Sequence, residues 1–166
     1  MTNYVTDDIG LVVAAMREDG QDDPYYLYGT RVEINSILKT KSQIDAKYPL
    51  VALKVPIVWR SEGGMIHYSL NLAIMSFTDK NYRAAQRYEN VIKPILRPLY
   101  NLFLEKLKIV GGFSWTNEGH EPYHIGREVP FYGTEGKEGN LKNYFDDPID
   151  AIEIVDLKIS QKIKNC

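Results

Sequence analysis

Two spacings of apolar positions alternate along the chain, and each predicts a different element. Val5, Ile9, Val12, Val13 and Met16 recur at helical intervals, forming one stripe that predicts a helix over residues 6–17. Thr6 or Asp7 is placed to cap it, Asp7 and Asp8 suit the positive end of its dipole, and Gly20 suits its stop. After the polar turn GQDDP, the cluster Tyr25-Tyr26-Leu27-Tyr28-Gly29 reads as extended. Residues 31–40 carry both spacings. Val32, Ile34, Ser36 and Leu38 alternate as in a strand, while Ile34, Ile37 and Leu38 also share a helix face. The capping-box spacing of Thr30 and Glu33 favours a short helix.

The most regular stretch follows. Residues 50–59 are nearly all apolar, which predicts a strand buried on both faces, with Pro56 at a bulge or an unpaired edge. Ser61-Glu62-Gly63-Gly64 supplies a hairpin turn. Ile66, Tyr68, Leu70, Leu72 and Ile74 then alternate with His67, Ser69, Asn71 and Ala73, a second strand with period two. Thr78 or Asp79 is expected to open a long helix whose stripe runs from Tyr88 to Phe103 and ends near Leu107. Pro94 and Pro98 lie inside that stripe, so the helix is expected to kink without losing its apolar face. Residues 113–115 form a candidate short strand, and residues 116–143 a long irregular excursion rich in Gly, Pro and charge. Residues 150–160 predict a last strand, with a bulge near Val155 to reconcile its two parities. The expected fold is one α+β domain over residues 1–166. A small, mainly antiparallel sheet packs on one long kinked helix, with an N-terminal helix beside it.

Composition changes this picture in few places. The chain has 166 residues, enough for one domain with its own core. Its 12 tyrosines against 2 tryptophans suit half-buried surfaces and interfaces. The net charge of −2 gives no overall basic excess for nucleic acid or anionic membrane, although Lys39, Lys41, Lys47 and Lys54 lie close in sequence. The only cysteine, Cys166, cannot make an intramolecular disulfide, which fits a reducing intracellular setting and equally fits indifference to redox. The polar, acidic N-terminus does not read as a signal peptide, and no apolar run approaches the ~20 residues that span a bilayer.

The search for chemistry is largely negative. No nucleophile elbow, phosphate loop or dinucleotide fingerprint is present. His120 and His124, with Glu118 or Glu121, are the only metal-like grouping. They sit beside Pro122 in a loop, whereas ligands four apart need a helix to face one ion. A small metal-dependent hydrolase built on them is therefore a weak alternative, and no cofactor or metal is expected. The carboxylates Asp146, Asp147 and Asp150 flank Pro148 and read as turn residues. A second alternative is a nucleic-acid-binding module. Tyr25, Tyr26, Tyr28, Trp59 and Tyr68 would stack bases, with Arg31, Lys54 and Arg60 interleaved on the same face.

The order of elements resembles that of the tail terminator and tail-completion proteins of tailed bacteriophages, in which a strand runs straight into a helix as in IMSFTDKNYRAAQRYENV. The phrases YGTRVEINSILKTK, KYPLVALKVPI, FTDKNYRAAQRYENVIKPILRPLY and DPIDAIEIVDLKI look more closely like a family found in phages and prophages of Bacteroides-like and flavobacterial hosts. That family includes members from crAss-like phages and occurs among head and neck genes. The resemblance covers about residues 25–159. It implies a virion structural protein without enzymatic activity, assembled in the host cytoplasm into a homo-oligomeric ring, a hexamer or dodecamer, in the neck or tail. Such a ring would meet portal, neck or tail proteins and pass genomic DNA without reading its sequence. The expected contact residues are Tyr25, Tyr26, Tyr28 and Trp59, with Tyr123, Phe131 and Tyr132 from the excursion.

Overall fold

The computed structural model describes residues 4–17, 24–44, 47–110, 112–115, 120–135 and 142–163. The elements in chain order are α1 (Val5–Arg17), β1 (Tyr25–Gly29), α2 (Arg31–Lys39), β2 (Leu50–Glu62) and β3 (Met65–Phe77). A continuous helical rod follows: α3 (Ala84–Arg87), a π-helical stretch (Tyr88–Leu96) and α4 (Arg97–Val110). The chain then forms β4 (Ile125–Val129), β5 (Thr134–Glu135), β6 (Lys142–Asn143) and β7 (Ile149–Lys162). The fold is α+β, as the spacing predicts. Five strands form one sheet in the order β1-β2-β3-β7-β4, antiparallel except for the β1–β2 pair, and β5 and β6 make a separate small ladder.

The period-two residues of β3 fall where alternation puts them. Tyr68, Leu70, Leu72 and Ile74 face the helices, where they meet the stripe of α1 and the Leu96, Leu99 and Phe103 side of the rod. Each such buried side chain contributes roughly 1.5–3 kcal/mol relative to exposure. The opposite face has a smaller core of its own. Ile34 and Leu38 of α2 pack there with Leu50, Ala52, Ala73 and Met75. Among the described residues, only one end of the sheet is covered on both faces. Residues 50–53 of β2 are buried, but the strand beyond them is largely exposed, so burial on both faces holds for its first third only.

Both predicted bulges are present. Residues 55–57, including Pro56, fall in a register break between Lys54 and Val58. On β7 the register shifts between the partners of Leu70 and Leu72, where Asp156 takes a left-handed conformation (φ 57°). The α2 capping box forms as its spacing predicts, with Glu33 N–H donating to Thr30 Oγ1 and Thr30 N–H donating to Glu33 Oε2. The hairpin closes through Gly63 and Gly64, both at positive φ, the geometry of a two-residue turn.

Four expectations are corrected. The α1 turn opens on the carbonyl of Tyr4, which accepts from Asp7 and Asp8 N–H, rather than on a Thr6 or Asp7 cap. Gly20, its expected stop, lies outside the described residues. The long helix starts at Ala84, not at Thr78 or Asp79. Asp79 Oδ1 accepts from Asn81 N–H and holds a turn instead, while Arg83 N–H donates to Gln86 Oε1 at the true start. The excursion is not wholly irregular, because β4 joins the main sheet beside β7. The expected strand at 113–115 reduces to a single bridge, Ser114 to Ser160.

Pro94 lies inside the π-helical stretch, where Arg97 N–H reaches back five residues across it to the Ile92 carbonyl, and Pro98 falls in the first turn of α4. Val91, Ile92 and Leu96 stay buried through the change, and Leu99 continues the stripe in α4.

Candidate functional site

The expected contact residues fall into three groups. On β1, alternation sends Tyr26 toward α1 and Tyr25 to the opposite face. Tyr26 is anchored, its hydroxyl donating to the Thr6 carbonyl at 2.8 Å, and Gly10 leaves the space its ring needs (3.3 Å from a Cβ position). Burial, with Asp7 next, pushes the Tyr26 hydroxyl pKa well above its ordinary value. Tyr25 lies under two cations, with Lys41 Nζ 4.1 Å and Arg17 Cζ 5.5 Å from its ring centre. Tyr28 shares the helix-side face with Tyr26 but is 58% exposed.

Trp59 stands on the distal half of the β2–β3 hairpin, 62% exposed, with Val58 exposed beside it. Trp59 and Trp115 border a cleft of about 460 Å³, whose polar lining includes Arg60, His67, Lys158 and Ser160. His67 Nδ1 and Ser160 Oγ are 2.7 Å apart. A nucleophile–base pair needs a third group to orient the base. The nearby carboxylate, Asp156, instead accepts from Ser69 Oγ and Lys158 Nζ. Those hydrogen bonds, Lys158 first and Ser69 next, hold its pKa below the usual carboxylate range, which makes it a poor proton acceptor.

The excursion residues separate. Tyr123 is exposed, and its backbone carbonyl accepts from Lys158 N–H. Phe131, at φ 51°, lays its ring on the Arg87 guanidinium, with Cζ 3.2 Å from the centroid. Beneath it Arg87 Nη1 meets Asp150 Oδ1 at 2.5 Å, an ion pair with both side chains buried. Phe131 N–H also donates to Asp150 Oδ1. Asp150 is thus a structural anchor, not the turn residue its neighbourhood predicts. Tyr132 is corrected too. It is 5% exposed, packed in the second core against Phe145 at 5.9 Å, with Arg31 and Lys54 over its ring. Burial and then Glu153 raise its hydroxyl pKa.

Neither alternative chemistry is brought together. The tyrosine rings of a stacking platform are split between the two faces of the sheet. Of the interleaved cations, Lys54 is paired with Glu153 at 2.5 Å and Arg31 lies over Tyr132 and Tyr144. His124 uses both ring nitrogens on protein groups. Nδ1 faces the Pro122 carbonyl at 2.7 Å and must donate, which leaves Nε2 to accept from Tyr100 OH at 2.6 Å. Glu118 lies outside the described residues, and among the described residues no group of three or more His, Cys, Asp or Glu is arranged to hold a metal.

Sequence reading missed the role of Arg87. An arginine within an amphipathic run reads as surface, and only the long-range contact of β7 with the rod reveals it. Compared with known proteins, the chain matches no family model and no curated protein.

Proposed function

We propose that the protein is a structural subunit of a bacteriophage virion, a tail-terminator-like ring component in the neck or tail that surrounds the DNA channel and catalyses no reaction. The observation that carries this reading is the outer arm of β2. Beyond Lys54 this strand runs on beside β3 to the Gly63–Gly64 turn, with Val58 and Trp59 exposed and no partner on its outer edge among the described residues. A lone domain gains little stability from such an edge. Neighbouring copies, or rings above and below, gain an open strand with an aromatic anchor. The wording of residues 25–159, with its likeness to phage neck proteins, supports the same assignment. The exposed, paired charges of Asp156 and Lys158 on β7 suit a surface that does not grip DNA.

The test has two parts. Mass spectrometry of purified phage particles should find the chain among virion proteins. Electron microscopy of the purified chain, alone or with adjacent neck proteins, should show rings. A protein that stays monomeric with those partners and is absent from particles would overturn the reading.

A further inference from the structure

The two outermost strands of the sheet match each other. Register carries straight across: Tyr25, Leu50, Met75, Ala151 and Val129 form one row, and Tyr28, Leu53, Leu72, Ile154 and Gly126 another. β1 and β4 are therefore level in the sheet, equal in length at 5 residues, and opposite in direction.

Their outward backbone groups, without a partner among the described residues, match as well. Tyr25 N–H donates to the Pro49 carbonyl, so alternation turns the amides and carbonyls of Tyr26 and Tyr28 outward. On the other side, the Ile149 carbonyl accepts from Tyr132 N–H on the outer edge of β7. Ala151, Glu153 and Val155 then face β4, their partners Val129, Arg127 and Ile125 face β7, and Gly126 and Glu128 turn outward. If a second copy continues the sheet level with the first, Tyr28 stands opposite Gly126 and Tyr26 opposite Glu128. Every member of both pairs then has its hydrogen-bonding groups directed at the partner.

The side chains agree. Tyr28 and Gly126 lie on the helix side, shown by Tyr26 packing on α1 and by Tyr100 of α4 standing over Gly126 (3.5 Å from a Cβ position). Gly126 lies in a groove of about 400 Å³, flanked by Arg97, Tyr100, Asn101 and Glu128. An exposed tyrosine ring on one edge thus meets, in register, a groove walled by Tyr100 on the other, in which Gly126 adds no side chain of its own. β1 also lacks the charges and prolines that guard exposed edges, since its sequence is YYLYG.

We infer that copies of this chain join edge to edge, β1 of one pairing antiparallel with β4 of the next and Tyr28 seated over Gly126, so that one sheet runs continuously from copy to copy. This rests on the ring reading above and gives it an interface. A head-to-tail contact of this kind closes into a ring when its rotation permits and otherwise makes a filament.

Five proteins test it by mass photometry and non-reducing electrophoresis. The parent chain should form a discrete oligomer. Tyr28→Pro removes an outward-facing amide without touching the β1–β2 ladder, and should lose that oligomer. Tyr28→Cys/Gly126→Cys in a Cys166→Ser background should, on oxidation, give a ladder of covalent multimers ending at one closed species, with neither single-cysteine chain linking. Cross-linking by Tyr28→Cys alone would assign β1 to a two-fold contact and overturn the β4 partner. Oligomers that survive Tyr28→Pro while the cysteine pair fails to link would overturn this interface and leave the ring reading standing. Linked but open-ended filaments would uphold the edge pairing and overturn the ring. A chain that is monomeric at every concentration and does not cross-link would overturn this interface, while the ring reading is decided by the particles and the neck partners.

Discussion

At the scale of the residue, the Arg87–Asp150 pair is the most consequential feature. Two charges out of water are stable only when they satisfy one another, and here the guanidinium is also met by the Tyr82 and Asp79 carbonyls and covered by Phe131. The pair ties the start of the rod to the start of β7 and fixes the loop after β4. Arg87→Met should destabilise the chain by about 3–5 kcal/mol in urea unfolding, because it strands the Asp150 carboxylate. Adding Asp150→Leu should recover part of that loss. Additive effects of the two changes would show that they are not coupled.

At the scale of the element, the two strands of the β2–β3 hairpin have different work. Leu70 of β3 is fully buried under the helices, whereas Trp59 is mostly exposed on the outer arm of β2. Leu70→Ala should cost about 2–5 kcal/mol. Trp59→Ala should change monomer stability by no more than about 0.5 kcal/mol, the range of an exposed position, while weakening assembly. A large stability loss from Trp59→Ala would show that the arm belongs to the core. Legibility divides along the same line. The α1 stripe, the β3 alternation, both bulges and the Thr30–Glu33 box were readable because each is set by residues near one another in sequence. β4 was not, since IGREV has no apolar alternation and is mostly exposed. It is a strand because β7 offers it an edge.

At the scale of the whole molecule, the tyrosines report the fold. Burial raises the hydroxyl pKa of Tyr26, Tyr48 and Tyr132, with Asp7, Asp147 and Glu153 respectively as the next cause. Each folded-state value lies above the unfolded value of about 10, so the unfolded chain gives up these protons first. Their contribution to stability is complete below pH about 10 and falls as pH rises beyond it. In an alkaline titration, phenolate absorbance from these three should appear together with loss of near-ultraviolet circular dichroism. Ionisation of all three before that loss would refute their burial.

The sequence by itself determined the elements that local spacing controls, the α+β class they imply, and the tyrosine-rich β1 strand that a neighbour is proposed to cover. Tertiary structure alone decided which side chains are available. It put Tyr132 into a second core and Phe131 over a buried ion pair, and it left Tyr28, Trp59 and Tyr123 in the open. It also set β1 and β4 level at opposite edges of one sheet. The physical reason is that a side chain's exposure and a strand's free edge depend on partners far away in the chain, and no local pattern encodes which distant partner will arrive.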